Sequence, residues 1–187
     1  LHGRIDEERY QAVLHKLEYQ AGHAIVWRDA VCNWFHRESG IADDKNRVGN
    51  HPDRIEAESM SLDGYQITEI TPWEDASGGK AVTCPNTKCA ATARFEGQAG
   101  WYNLSIQYFD QHHGASRFEA LLNHQSIGSW VADDSLPSDK PNSHTSTRHT
   151  FEGVPLRPGD EIQIIGIPDG AERATLDYIE WKPAGKY

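Results

Sequence analysis

Between residues 5 and 38 the apolar positions recur at three- and four-residue steps. Tyr10, Val13, Leu14, Leu17, Ala21, Ala24, Ile25, the aliphatic stem of Arg28, Val31 and Phe35 fall on one stripe. That spacing predicts an amphipathic α-helix. Asp6, Glu7 and Glu8 sit where the positive end of the helix dipole favours carboxylates, and Gly40 lies where a left-handed cap would end the helix. Such a stripe needs cover, from a parent domain, a partner chain or the rest of this one. Residues 41–53 are polar and rich in turn formers, which predicts a linker. From residue 54 onward the period drops toward two. Short alternating or apolar runs are cut by Gly, Pro, Asp and Asn, and predict strands at 54–58, 64–70, 80–84, 90–96, 101–109, 116–123, 126–131, 147–154, 160–167 and 174–181. The chain is thus read as mainly β: an antiparallel β-sandwich (jelly roll) over 54–187, preceded by an N-terminal α-helical segment over 1–40 and the linker.

Composition narrows the partners. The formal charge is −10 with His neutral, which argues against a phosphate backbone and an anionic membrane surface, so no nucleic-acid and no membrane partner is expected. No apolar run is long enough to span a bilayer. A chain that starts at Leu1 rather than Met reads as a piece of a longer protein. Of the three cysteines, Cys84 and Cys89 bracket the turn sequence P-N-T-K. The two either close a small disulfide loop in an oxidising compartment or stay as thiols. No second close Cys or His pair has the spacing of a structural zinc site, and His112, His113, His144 and His149 match no helix-borne motif.

The run R-I-E-A-E-S-M (54–60) raises a sharper question. On a strand, Glu56 and Glu58 share a face and repel each other, so the face is either solvated or built around a cation.

Two resemblances bear on this. R-I-D-E-E-R-Y-Q-A-V-L, W-R-D-A-V-C-N-W-F and R-E-S-G-I-A-D-D-K, within 4–47, resemble the C-terminal helical part of family 67 glycoside hydrolases, the α-glucuronidases. I-E-A-E (55–58), S-G-G-K-A-V (77–82), G-W-Y-N-L-S-I-Q-Y (100–108) and L-D-Y-I-E-W (176–181) resemble carbohydrate-binding modules of families 6 and 35. The second resemblance implies a structural calcium ion held by Glu56, Glu58 and Asp177, with a carbonyl near Gly79–Lys80 as a further ligand. Hard carboxylate and carbonyl oxygens suit that ion.

The first implies a parent enzyme that inverts configuration. Its acid and base carboxylates would lie in an upstream catalytic domain, so this chain is expected to have no hydrolase activity of its own. Its function would be carbohydrate binding, holding the enzyme near glucuronoxylan of the plant cell wall. The alternative is a structural or dimerisation domain, with a homodimer formed through the N-terminal helix. A secreted, extracellular location follows from the same resemblance.

Sugar binding needs an aromatic platform and a few polar groups. The loops 84–90, 110–115, 132–146 and 168–173 are expected at one end of the sandwich. They offer Asp110, Gln111, His112, His113, Trp130, Asp133, Arg148, Asp169 and Arg173, of which the last seven are the ligand-binding candidates. Arg148 and Arg173 could pair with a uronic carboxylate. Trp130 is either a platform or core. Trp101, Tyr102 and Tyr108 share one strand, so at least one of them is expected in the core.

Overall fold

The structure, a computed structural model, describes residues 51, 53–70, 76–136, 138–142 and 145–185. The predicted helix, most of the linker, Trp73 (a second platform candidate in the loop T-P-W-E-D) and His144 lie outside these residues, and so does the dimer expectation that rests on the helix.

The strands are β1 (Arg54–Glu56), β2 (Ser61–Asp63), β3 (Gln66–Glu69), β4 (Lys80–Thr83), β5 (Cys89–Arg94), β6 (Gly100–Phe109), β7 (Arg117–Leu122), β8 (Gln125–Val131), β9 (Ser146–Leu156), β10 (Glu161–Ile167) and β11 (Leu176–Pro183). They form two antiparallel sheets. The first runs β3-β4-β11-β6-β9, with β1 also on the edge of β11; the second runs β2-β5-β10-β7-β8. First and last strands are neighbours, with Arg54 opposite Glu180 and Glu56 opposite Tyr178. This is the predicted sandwich. Two local differences stand out. β1 stops at Glu56, and Ala57–Ser59 turns as a 3₁₀ helix, so Glu56 and Glu58 do not share one strand. β2 was not foreseen, because S-L-D is too short to show alternation.

Alternation builds the core as expected for a two-layer fold. Leu104, Ile106 and Tyr108 of β6 point inward, with Leu176 and Ile179 of β11 and Ile162 and Ile164 of β10. Phe95 packs edge-on against Tyr102 and Trp181 at 4.9 and 5.3 Å between ring centres. Tyr102 and Tyr108 are thus on the core side, whereas Trp101 on the opposite face of β6 is 63% exposed. Cys84 and Cys89 are joined by a disulfide. Gly166 on β10 lies under the Tyr65 ring, so that a Cβ there would collide with the Tyr65 hydroxyl, which donates to Ala174 O at 3.1 Å.

The two outer faces differ. On the second sheet Arg94, Arg117 and Ile167 are exposed. On the first sheet, Ser105, Gln107 and Phe109 of β6 are 7%, 0% and 0% exposed, and Tyr178 and Glu180 of β11 are each 1% exposed.

Candidate functional site

The loops after β4, β6, β8 and β10 converge at one end, as the strand order requires. A buried carboxylate ties the loop after β6 to the loop after β10. Glu172 Oε1 accepts from Gln111 N, and its Oε2 accepts from Ser116 N, both at 2.8 Å. Asp169 Oδ2 accepts from Ala115 N at 3.0 Å. Asp110, fully buried, accepts from Asp134 N at 3.0 Å. Arg173 O accepts from Cys84 N at 2.9 Å, tying the 168–173 loop to the disulfide loop. Gly114 holds φ +121, and a Cβ added there would meet Glu172 Cβ at 2.5 Å. Burial pushes the Glu172 carboxyl above its ordinary pKa, against the main-chain donors of Ser116 and Gln111 and with the Asp110 charge adding to the rise. Burial also raises Asp110, while the main-chain donor of Asp134 opposes it. Asp110 was among the residues the sequence placed at this loop end; Glu172 was not. P-D-G-A-E-R reads as a solvated turn, and no signal in it marks Glu172 as buried.

Five of the sequence candidates decorate this frame. His112, His113, Asp133, Asp169 and Arg173 are exposed. His113 Nδ1 lies 2.7 Å from Asp139 Oδ1, and the two histidine rings meet edge-on at 4.5 Å.

The other two are corrected. Trp130 is a core residue. Its ring stacks between His149, at 4.5 Å and 2°, and Phe118, at 5.1 Å and 12°. A pleated β8 that pairs with β7 turns it inward rather than toward the loops. Arg148 is no loop residue either. It lies on β9, on the covered outer face of the first sheet. There Nη1 donates to Glu180 Oε2 at 2.9 Å, Nε donates to Gln107 Oε1 at 3.1 Å and Nη2 donates to the Tyr178 hydroxyl at 3.2 Å. His51 Nδ1 reaches the same Glu180 oxygen at 3.1 Å, and Lys182 Nζ reaches Oε1 at 3.2 Å. Burial alone would raise the Glu180 carboxyl, but the hydrogen bonds and charges of His51 and Arg148 outweigh it and hold the pKa down at about 2. With its fork engaged in this way, Arg148 cannot clamp a uronic carboxylate.

The carboxylates singled out for a cation lie at the β1–β11 edge. Glu56 Oε1 accepts from Arg54 Nε at 2.6 Å and from the Ser77 hydroxyl at 2.7 Å. Ser77 N donates to Asp177 Oδ1 at 2.9 Å. Glu58 Oε1 would lie 3.6 Å from a Cβ on Gly78, whose φ is +62. Glu56 Oε2 and Glu58 Oε2 are buried with no hydrogen-bond partner among the described residues. Burial raises the Glu58 pKa; the Glu56 charge raises it further, while a main-chain hydrogen bond opposes both. The donor chemistry suits a hard cation. Even so, no three carboxylate, imidazole or thiol groups among the described residues close into a metal cage, and Arg54 already supplies one positive charge at Glu56.

Comparison with known proteins places this geometry. The fold is that of the carbohydrate-binding β-sandwich modules. The chain is similar to a family 35 carbohydrate-binding module from Clostridium thermocellum, with TM-score 0.53 and 14% identity, covering 70% of this chain and 97% of that one. It is also similar to Podospora anserina GH26-CBM35 β-(1,4)-mannanase, with TM-score 0.54 and 20% identity, covering 72% of this chain and 28% of that one.

Its relationship in sequence is more specific. The family model described as "Glycosyl hydrolase family 67 C-terminus" matches residues 1–48. Proteins named "Probable alpha-glucuronidase A" are 44% identical over 98% of this chain in Aspergillus flavus and 47% identical over 99% of it in Aspergillus fumigatus. The chain spans 23% of the length of those relatives.

Proposed function

We propose that the sandwich is a non-catalytic carbohydrate-binding module of an α-glucuronidase, which takes uronic-acid-bearing xylan fragments at its loop end. The observation that carries this reading is the Glu172 frame. Glu172 fixes the 110–116 loop to the 168–173 loop through two buried main-chain bonds, Asp110 ties in Asp134, and His112, His113, Asp133, Asp169 and Arg173 are left at the surface. A preformed polar surface costs little ordering on binding. Arg173 is the cation there that suits a carboxylate. Linkage to an enzyme supplies an effective concentration in roughly the millimolar range, so a weak site suffices. The catalytic acid and base belong to the upstream part of the longer protein, and the Cys84–Cys89 bridge fits an extracellular location.

Calorimetric titration of the full chain with glucuronic acid and aldouronic xylo-oligosaccharides tests the reading. Saturable heat is expected, with affinity falling about tenfold in Arg173→Ala, the equivalent of ~1.4 kcal/mol, and less in His113→Ala. Flat traces with every ligand would remove the sugar-binding function.

Calcium belongs to the same proposal. Glu56 and Glu58 would hold it through their partnerless oxygens, with Asp177 and main-chain oxygens near Gly79 completing the set. The ion would supply charge neutralisation and a tie between the first and last strands. Chelation is expected to lower the melting midpoint by roughly 5–10 °C, since a ligand at about a hundred times its Kd contributes ~2.7 kcal/mol and each kcal/mol shifts a chain of this size by about 2–4 °C. The sign with pH follows from the raised Glu58. Without the ion, folding favours its protonated form, so stability falls as pH rises from the ordinary carboxylate value through the raised one. The calcium effect should therefore grow with pH. An unchanged midpoint, with no metal found by elemental analysis, would leave Arg54 as the cation of this edge.

A further inference from the structure

We propose that the outer face of the first sheet is the docking seat of this chain's own N-terminal segment, residues 1–50, so that the family 67-like tail and the sandwich form one packed unit. This does not depend on the sugar-binding reading.

A two-layer sandwich leaves both outer faces to solvent unless something lies on them. Here the second sheet's face is largely open, although Ile165 on it is 5% exposed. Across β6 and β11 the other face holds Ser105, Gln107, Phe109, Tyr178 and Glu180, none more than 7% exposed. Yet no third layer of secondary structure lies on it among the described residues. The face is also not built for water. Ile70, Ala76, Ala81 and Phe109 form a second apolar cluster, separate from the main core. Beside it lies the charged cluster of Arg148 and Glu180, of which Glu180 is 1% exposed.

The position of His51 identifies the occupant. The described chain begins on this face: His51 is 5% exposed, 3.1 Å from Glu180, with its ring centre 6.1 Å from that of Tyr178. Residues 1–50 therefore join the sandwich on the covered face, and their sequence carries the long apolar stripe from Tyr10 to Phe35. Residues 71–75 can cover part of this face, but not the whole of it. They are anchored at Ile70 and Ala76, beside β3 and β4. A loop of that length projects about 10 Å at most, enough to pass over β11 toward β6 but not to reach the Arg148 side chain, 5% exposed on β9, three strand spacings from β4 or about 14 Å. The cover also stops short of Trp101, at the far end of β6.

The test uses the full chain. Ser105→Arg places a long cation on the covered face, at a position 7% exposed, where an uncovered strand would hold it in water. Ala81→Arg does the same from β4, and Gln163→Arg on the open sheet is the control. Amide exchange is read by peptide. Wild type should protect 5–38, with Ser105→Arg and Ala81→Arg raising exchange there at least tenfold while β5, β7, β8 and β10 stay protected; Gln163→Arg should change nothing. The rate of Cys32 alkylation in the wild type gives a reading that needs no variant. Cys32 follows Arg28 by four residues, which on the expected helix puts it beside the stripe, so its thiol should react at least tenfold more slowly than in the denatured chain. Free exchange across 5–38 in wild type, or a Cys32 as reactive as in the denatured chain, would overturn the proposal. So would protection that both face variants leave intact. Protection that disappears on dilution together with a dimer, followed by sedimentation, would give the face to a second copy instead.

Discussion

Arg148→Met should destabilise the sandwich by about 3–5 kcal/mol, because it strands a buried carboxylate. Glu180 is 1% exposed, and Arg148 supplies one of the hydrogen bonds that keep it ionised. The same change also orphans the Gln107 amide oxygen, which accepts from Arg148 Nε. Removing both charges together, as Arg148→Met with Glu180→Leu, should recover most of the loss, since a buried pair replaced by apolar groups is often neutral. The pair also predicts an acid limit. The Glu180 pKa is held at about 2 in the folded chain, below its ordinary value of 4.5. A depressed carboxyl contributes stability that is complete above its unfolded pKa and is lost as pH falls toward the folded one. Midpoints of urea melts should therefore drop between about pH 4.5 and pH 2 in wild type, and less steeply in the double variant. Should Arg148→Met cost under about 1 kcal/mol, the cluster would be an exposed-type pair of little weight.

That cluster also shows what the sequence could and could not reveal. The sandwich itself was legible, because alternation on β6, β10 and β11 survives in the side chains: Leu104, Ile106 and Tyr108 are spaced by two, as are Ile162 and Ile164. The end at which the loops gather followed from counting passes. What period two cannot show is which polar side of a strand is covered. Ser105, Gln107 and Glu180 read as a solvated face, and Arg148 as a free cation near a loop, because covering is a property of the third layer rather than of the strand. Trp130 was ambiguous for a related reason. A Trp one residue from a strand end serves equally as platform or core, and only the β7–β8 register decided it. Glu56 and Glu58 stood out by their spacing, but the Ala57–Ser59 turn that takes Glu58 off β1 was not visible in a run that fits a strand equally well. Glu172 gave no signal at all, since a buried acid among Asp and Gly has the composition of any exposed turn.

Glu172 carries the second large prediction. Replacing it by Ala removes the acceptor of two buried main-chain donors, Gln111 N and Ser116 N. Each orphaned donor costs about 1–3 kcal/mol, so a loss near 4 kcal/mol is expected. Glu172→Gln keeps one acceptor and turns an amide group toward the other N–H, which should recover roughly half. Gly114→Ala attacks the same frame from the opposite side, since its Cβ would press on Glu172 Cβ at 2.5 Å in a backbone conformation that favours glycine. In both cases the damage should be local, with amide exchange rising in 110–116 and 168–173 while β6 and β10 stay protected. If the sugar site lies on this frame, both variants lose the titration heat together with the loop protection. Heat that survives while the loops open would detach the site from the loop end. The aromatic surface then left among the described residues is Trp101, 63% exposed on β6, and the module would be one that stacks its sugar on a sheet face.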